Sequence, residues 1–223
     1  MNFYSGGGLP APPRTHEYPV RAVCTVRAVL LKKHTLMQEI IKQVKADLRS
    51  MMNGVAAAAM RQAGLTADYR VNFGVEIPRL QTLAGELCTE YPDCLPALSQ
   101  ALWHESVREC RILATLLMPA DTFADDVADI WADEIHTVEL AQIAAMNLFS
   151  KMPSATTAAF RWIASGTEIR QTLGYYTILH LMRQAQLSPR SKDELADQAA
   201  AALQADNSQL RMAAQRVLDR LDK

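Results

Sequence analysis

The sequence predicts an all-α protein built as an α-solenoid, or α-α superhelix, of antiparallel helix pairs. From Met37 onward, apolar residues recur at helical spacing in segments of about 10–17 residues, and short breaks separate the segments. No run of residues alternates between apolar and polar side chains as a strand would. The segments pair at a spacing of roughly 35–40 residues, which is typical of stacked repeats. A compact helical bundle is the alternative that these observations leave open.

The first 36 residues differ from the rest of the chain. They contain a Gly-Gly-Gly run and three nearby prolines, residues that favour turns and disorder. We therefore expect 1–36 to be a flexible leader and 37–223 to be a single domain. The leader is interpreted either as sequence upstream of a genuine start at Met37 or as a basic arm that binds an acidic partner.

Periodicity and turn residues define the first five helices of the predicted domain. Asn53-Gly54 is a turn between the first two helices, and a loop at Ala67–Glu76 leads to Pro78, at a position where the first turn of a helix tolerates proline. The predicted helices are Met37–Met52, Val55–Gly64, Pro78–Glu90, Leu95–Trp103 and Ser106–Met118.

Six more helices follow, and capping residues mark several of their starts. Asp121, Ser154, Ser191 and Ser208 are expected as N-caps, because their side-chain oxygens can accept from free backbone N–H groups of a first turn. The predicted helices are Asp121–Ile135, Val138–Lys151, Ser154–Ser165, Glu168–Ala185, Ser191–Ala205 and Ser208–Leu221.

The charge balance lowers the expectation of a strongly DNA-binding surface. Residues 1–36 carry five basic residues and one acidic residue, whereas the remainder carries 18 basic and 23 acidic residues. A protein that grips duplex DNA needs a cationic surface, because phosphate neutralisation supplies most of its affinity. A local basic stripe remains compatible with this balance.

Other classes of site and location are disfavoured by composition. No window approaches the roughly 18 uninterrupted apolar residues of a membrane-spanning helix. The four cysteines and the histidines show no metal-ligand spacing, so we expect no metal and no cofactor. Free cysteines of this kind are typical of a reducing cytoplasm, and we expect a cytoplasmic monomer.

Two segments resemble a known family when they are taken together. The first is Phe73-Gly74-Val75-Glu76-Ile77-Pro78-Arg79-Leu80, a loop that runs into a helix. The second is Leu102-Trp103, followed by Glu109-Cys110-Arg111-Ile112-Leu113-Ala114. In this order and at this separation they resemble the bacterial DNA alkylation repair family, the alkylpurine DNA glycosylases built from HEAT-like repeats. The resemblance covers about Met37 to Leu221 and implies a HEAT-like-repeat fold.

The same residues have a physical interpretation without the family. Gly74 permits a positive φ, and Phe73 and Val75 are expected to anchor the loop by burying their side chains against the first helices. Glu109 and Arg111 are two residues apart on a helix and cannot face each other. Glu109 is therefore expected to cap a loop, and Arg111 to bind a carboxylate or a phosphate.

The resemblance implies removal of N-alkylated purines from duplex DNA, and the chain departs from the family's pattern at the residues for that reaction. The family holds a Trp next to the cationic nucleotide and, four residues later, a carboxylate beside the sugar. Val138 and Gln142 occupy these positions here. Val has no π face, and Gln cannot accept a proton, so excision should be slower by a factor on the order of 10²–10⁴.

Several residues are candidates for the remaining chemistry and binding. Glu139 follows the position of the missing Trp and is either directed into the cleft with Gln142 or a solvated residue that favours the helix dipole. Arg170 approximately matches the family's DNA-facing arginine, and one of Tyr175 and Tyr176 is expected to face the cleft. The candidate ligand-binding residues are Arg108, Arg111, Val138, Trp162, Arg170 and Tyr175.

Two functions of different classes follow. The first is DNA binding on a concave helical face, with weak, altered or absent N-glycosylase activity. The second is a catalytically degenerate scaffold whose concave face binds a protein or another ligand. A positive potential around Arg108, Arg111 and Arg170 would favour nucleic acid over the scaffold.

Overall fold

The computed structural model describes the backbone of residues 20–66, 68–184 and 187–222, and it describes their side chains except those of 20–33 and 184. These residues form eleven α-helices and two 3-10 helices, and no strand. The helices are α1 Val20–Ser50, α2 Gly54–Gln62, α3 Ile77–Glu90, α4 Leu95–Trp103, α5 Arg108–Leu117, α6 Asp125–Asp133, α7 Val138–Asn147, α8 Ala155–Ile163, α9 Glu168–Gln184, α10 Pro189–Ala202 and α11 Ser208–Leu221, with 3-10 turns at Pro92–Cys94 and Phe149–Lys151.

The chain divides into two units, residues 1–40 and residues 41–223. In the first unit, α1 begins at Val20 and not at Met37, so the part of the expected flexible leader from Val20 onward is helical. The reason lies in the sequence, which has neither Gly nor Pro between Val20 and Ser50 to end a helix. The rest of the expected leader, residues 1–19, lies outside the described residues.

The second unit stacks its helices in two layers. One row, the inner helices, consists of α3, α5, α7, α9 and α11, and each packs against the next. The outer helices α4, α8 and α10 pack behind α5, α9 and α11 respectively. This order of contacts confirms the α-solenoid and excludes the alternative of a compact bundle. Each inner helix packs against the inner helices of the repeats before and after it, as in stacked repeats.

Several helix boundaries differ from those predicted. Helix α6 begins at Asp125 rather than at Asp121, because the backbone of Ala124 is extended, at φ −68° and ψ 141°. Helix α10 is capped by Ser188, with Pro189 at its first position, so the predicted cap Ser191 lies inside the helix. Ser154 has the N-cap position of α8 but makes no capping hydrogen bond.

Two further differences fall at the ends of α7 and α11. Helix α7 ends at Asn147, and a separate 3-10 turn follows it, because the backbone of Leu148 leaves the helical region at φ −123° and ψ −66°. In α11 the cap is Asn207, one residue before the predicted Ser208, and its side chain accepts from the backbone of Gln209 and Leu210.

The three tryptophans lie in the middle of the array and are fully buried. Trp103 of α4 stacks on Trp131 of α6, with ring centroids 4.0 Å apart and an interplanar angle of 3°. Trp162 of α8 meets the edge of Phe149 at 4.8 Å. The aromatic rings join consecutive repeats.

No helix in the described parts of the chain is both long enough and apolar enough to cross a lipid bilayer.

Helices α8 and α9 approach closely at Gly174. A Cβ placed on Gly174 would lie 2.8 Å from the carbonyl oxygen of Ala159 and 2.9 Å from the backbone nitrogen of Ile163. We therefore expect Gly174→Ala to lower the free energy of unfolding by about 1–3 kcal/mol, because the two helices must separate. Urea denaturation followed by circular dichroism measures the change.

The matched control is Gly85→Ala in α3. A Cβ at Gly85 has nothing within 4 Å, so this variant gains helix propensity without a clash and should be stabilised by about 0.5–1 kcal/mol. Equal effects of the two substitutions would contradict the close packing of α8 against α9.

Candidate functional site

The loop before α3 is fixed by one buried carboxylate. Glu109, on α5, accepts hydrogen bonds from the backbone N–H groups of Phe73 and Val75, each at 3.2 Å. Phe73 and Val75 are buried, as predicted, and Gly74 between them has φ +70°. A Cβ at Gly74 would stand 2.6 Å from the nitrogen of Ala57, so only glycine fits there. The prediction that Glu109 caps a loop is confirmed.

Arg108 extends this contact to the next inner helix. Its guanidinium lies 3.1 Å from Glu109 and donates from Nε to Glu139 Oε2 of α7 at 2.8 Å. Only 1% of the Arg108 side chain is exposed. Burial acts to lower the pKa of Arg108, but the hydrogen bonds and charges of Glu139 and Glu109 outweigh it and raise that pKa. Glu109 and Glu139 thus neutralise the charge of Arg108, which the sequence analysis named as a candidate ligand-binding residue.

Arg111 binds within the protein in another way than expected. It donates to the backbone carbonyl of Glu134 at 3.0 Å, and its guanidinium carbon lies 5.4 Å from the centroid of the Trp103 ring. The expected carboxylate or phosphate is therefore replaced by a carbonyl oxygen and an aromatic face. The buried Nε of Arg111 has no hydrogen-bond partner in the described part of the chain.

Arg170 is held by two aspartates of α6. It lies 2.9 Å from Asp129 and also pairs with Asp133. Asp129 also accepts from Trp162 Nε1 at 2.6 Å and pairs with Arg161 at 2.9 Å. Burial acts to raise the pKa of Asp129, but the hydrogen bonds from Trp162 and Arg161 and the charges of Arg161 and Arg170 lower it overall.

The two aromatic candidates, Trp162 and Tyr175, also form their hydrogen bonds within the protein. Trp162 is fully buried, with its indole nitrogen directed to Asp129. Tyr175 is buried and donates to the carbonyl oxygen of Gln198 at 3.0 Å, and burial raises the pKa of Tyr175 to about 12. Tyr176, not Tyr175, contacts Gln142.

Gln142 faces a cavity between α7, α9 and α11. Its side-chain nitrogen donates to the hydroxyl oxygen of Tyr176 at 2.7 Å. Val138, one turn earlier on α7, is partly buried and does not line the cavity. The cavity has a volume of about 520 Å³, and its lining residues are Gln142, Ile143, Met146, Tyr176, Leu179, His180, Arg183, Arg216, Asp219 and Arg220.

Unpaired positive charge is concentrated at this cavity. Arg183, Arg216 and Arg220 are exposed, and none of their guanidinium groups forms an ion pair or hydrogen bond with another residue that the structure describes. Asp219 is the one acidic residue among the described lining residues. Burial and the charge of Arg183 lower the pKa of His180, which favours its neutral form.

The predicted site residues therefore fall into separate groups. Arg108 and Glu139 form one ion pair, and Arg170 and Trp162 share Asp129. Of the residues named from the sequence, Gln142 and Tyr176 line the cavity. A positive potential around Arg108, Arg111 and Arg170 would favour nucleic acid, and carboxylates offset the charge of two of these three arginines, Arg108 and Arg170. Ligand contact by these residues stays a prediction.

The arginines at the cavity were missed by sequence reasoning. Arg216 and Arg220 are four residues apart on α11, a spacing that places them on one helix face. That signal was present, but it lay outside the two segments that carried the resemblance.

A sequence model of the DNA alkylation repair enzyme family matches residues 44–222. The chain belongs to this family. The resemblance inferred from the two segments is thereby confirmed, and the match covers the helices of both layers from α3 to α11.

A solved structure supports the same fold for this family member. It is described as "A new family of proteins related to the HEAT-like repeat DNA glycosylases with affinity for branched DNA structures". The two chains superimpose with a TM-score of 0.71 at 16% identity, over 81% of this chain and 74% of the other. The HEAT-like-repeat fold predicted from the sequence is confirmed. No curated protein matches the sequence.

Within the described residues, no group of three or more His, Cys, Asp or Glu side chains is placed to hold a metal ion. The buried Cys110 is a core residue, and burial raises the pKa of its thiol to about 12.

The network around Glu109 should be essential for stability. We expect Glu109→Ala to lower the free energy of unfolding by about 3–5 kcal/mol, because two backbone N–H groups lose their acceptor and Arg108 loses one of its two counter-charges. Urea denaturation measures the loss, with Glu86→Ala on the exposed face of α3 as the control.

The control should change stability by less than about 0.5 kcal/mol, since it removes an exposed carboxylate that has no hydrogen-bond partner among the described residues. A loss below about 1 kcal/mol for Glu109→Ala would show that the loop is held mainly by its apolar contacts.

Proposed function

We propose that this protein binds DNA on the face formed by α7, α9 and α11, and that it excises N-alkylated purines slowly or not at all. The observation that supports this proposal best is the cavity itself. Three guanidinium groups without acidic partners among the described residues line it, and so does Gln142, the residue that the family resemblance aligns with the carboxylate.

Phosphate recognition accounts for the arginines. Arg183, Arg216 and Arg220 lie on two adjacent inner helices, and exposed guanidiniums bind phosphate oxygens through paired hydrogen bonds. The other arginines proposed from the sequence are already bound to carboxylates or to a carbonyl oxygen. Membership in a DNA repair family and the affinity of the solved relative for branched DNA support DNA as the ligand.

The expectation of weak excision comes from the residues that would have to do the chemistry. Gln142 can orient a water molecule but cannot accept its proton, and Val138 offers no π face to a cationic purine. Glu139, the nearest carboxylate on α7, is bound by Arg108. Asp219 is exposed on α11, between the two arginines, and not at the position of the family's carboxylate on α7.

DNA binding should depend on salt through the cavity arginines. We expect the double variant Arg216→Ala/Arg220→Ala to reduce the slope of log K against log salt by about 0.9 for each phosphate contact that is lost. Fluorescence anisotropy with labelled duplex DNA, titrated at several salt concentrations, measures the slope.

Arg190→Ala is the matched control for charge. Arg190 is exposed on the outer helix α10 and does not line the cavity, so its removal should leave the slope within error of the unmodified protein. Equal slopes for all three proteins would contradict the proposed DNA face. No duplex binding at physiological salt would favour the scaffold function over it.

Excision should return when the family's pair is restored. We expect the Val138→Trp/Gln142→Asp variant to release 3-methyladenine from alkylated DNA faster than the unmodified protein by a factor on the order of 10². The carboxylate would then face the cavity from the position that Gln142 now holds. Chromatographic measurement of the free base under single-turnover conditions gives the rate.

The single variants Val138→Trp and Gln142→Asp are the controls, because each supplies only half of the pair. Equally fast excision by the unmodified protein and the double variant would overturn the proposal of weak activity.

A further inference from the structure

Among the described residues that line the cavity, His180 is the one whose side chain titrates near neutral pH. It lies on α9, four residues after Tyr176 and three before Arg183, so all three share one face of the helix. Its side chain is half-buried and forms no hydrogen bond with another described residue. The arginine contacts with phosphate leave this imidazole without a role.

The charged groups that face His180 are mostly cationic. Arg183 lies on the same helix, and Arg216 and Arg220 line the cavity from α11. The lining residues of α7 carry no charge. His180 therefore shares the cavity with three positive charges, which oppose a fourth.

Acidic groups do little to offset this charge at the cavity. Asp219 of α11 is the acidic residue among the described lining residues, and it accepts a hydrogen bond from Gln215 at 2.8 Å. Helix α6, helix α8 and the 3-10 turn also pack against α9. Their charged residues do not line the cavity; they are Asp125, Asp126, Asp129, Asp133, Lys151 and Arg161.

Without DNA, this environment favours a neutral imidazole. Burial, the larger cause, and the charge of Arg183 lower the pKa of His180. A phosphate bound by the arginines reverses the electrostatic part, because its negative charge offsets theirs and its oxygens accept hydrogen bonds from an imidazolium. The pKa of His180 should therefore be higher in a DNA complex than in the free protein.

From this arrangement we propose that His180 binds a DNA phosphate as an imidazolium, so that DNA binding at the cavity takes up one proton. The proposal rests on the proposed DNA binding and adds a pH dependence to it. The proton comes from solvent and goes to the ring nitrogen that is unprotonated in the neutral tautomer. Only the sugar-phosphate backbone reaches the cavity, so the bases of the duplex stay stacked.

The direction of the pH effect follows from the two pKa values of His180. Below the pKa in the free protein, the imidazole is charged with and without DNA, and its contact with the phosphate is fully present. This contribution is lost as the pH rises through the pKa in the complex. Affinity should therefore be greatest at mildly acidic pH, while the arginines keep their charge throughout.

Fluorescence anisotropy with a fully matched, labelled duplex measures the effect. We expect binding to be about tenfold tighter at about pH 5.5 than at about pH 8, since a hydrogen bond to a charged group contributes about this factor. The slope of log K against log salt should also be steeper at the lower pH by about 0.9, the value for one added phosphate contact. The affinities are compared at about 0.15 M salt, where charges more than about 8 Å away are screened.

Two substitutions test the charge of His180. His180→Gln is polar but uncharged, so the pH effect should fall to less than about twofold. His180→Arg is charged at both pH values, so at about pH 8 it should bind as tightly as the unmodified protein does at about pH 5.5. Circular dichroism at both pH values confirms that the variants are folded.

His136→Gln is the matched control. His136 is exposed between α6 and α7 and does not line the cavity, so this variant should keep the pH effect of about tenfold.

A measurement on the unmodified protein is independent of how the variants fold. Proton NMR of the assigned imidazole of His180, titrated over pH with and without the duplex, should give a higher pKa in the complex. An unchanged or lower pKa in the complex would overturn the proposal.

The outcomes distinguish proton uptake from the proposed function. Affinity that is equal at the two pH values, with a salt slope that falls in Arg216→Ala/Arg220→Ala, would overturn proton uptake and leave DNA binding intact. A tenfold effect that survives His180→Gln would assign the proton to another group and overturn the role of His180. No binding to the duplex at either pH would overturn both proposals.

Discussion

The buried carboxylate of Glu109 is the interaction on which the arrangement of the first repeats depends. It holds the backbone of Phe73 and Val75 against α5, and through Arg108 it is connected to Glu139 at the start of α7. A charge that is fully buried needs several partners to offset the cost of leaving water. Because those partners come from a loop and from two inner helices, satisfying Glu109 positions all three relative to one another.

This use of charge separates the residues that build the repeats from those that are free to bind a ligand. Arg108, Arg111 and Arg170 lie at helix starts or in first turns, where they join one repeat to another through carboxylates, a carbonyl or a ring. The arginines at the cavity come from later turns of α9 and α11, where no described acidic side chain pairs with them. Net charge over the whole chain therefore says little about the local field at the inner face.

Local patterns in the sequence were sufficient for the fold, and tertiary contacts decided the site. Apolar periodicity and proline placement predicted Leu95–Trp103 to the residue, and Gly74 and Glu109 have the predicted roles. The partners of Arg170 could not be predicted, because Asp129 and Asp133 are about 40 residues away in the chain. Tyr175 and Tyr176 are adjacent in one helix, so only the packing of α9 against α7, α8 and α11 determines which one is enclosed and which one lines the cavity.

The placement of the tryptophans has a consequence for how the protein can be observed. All three lie between residues 103 and 162, buried and in contact with aromatic neighbours. Intrinsic emission therefore reports the polarity and order around α4, α6 and α8, and the parallel pair formed by Trp103 and Trp131 is close enough for excitonic coupling in the near ultraviolet. Helices α10 and α11 carry no indole, so opening of the last repeat would not change tryptophan emission while the centre of the array stays folded.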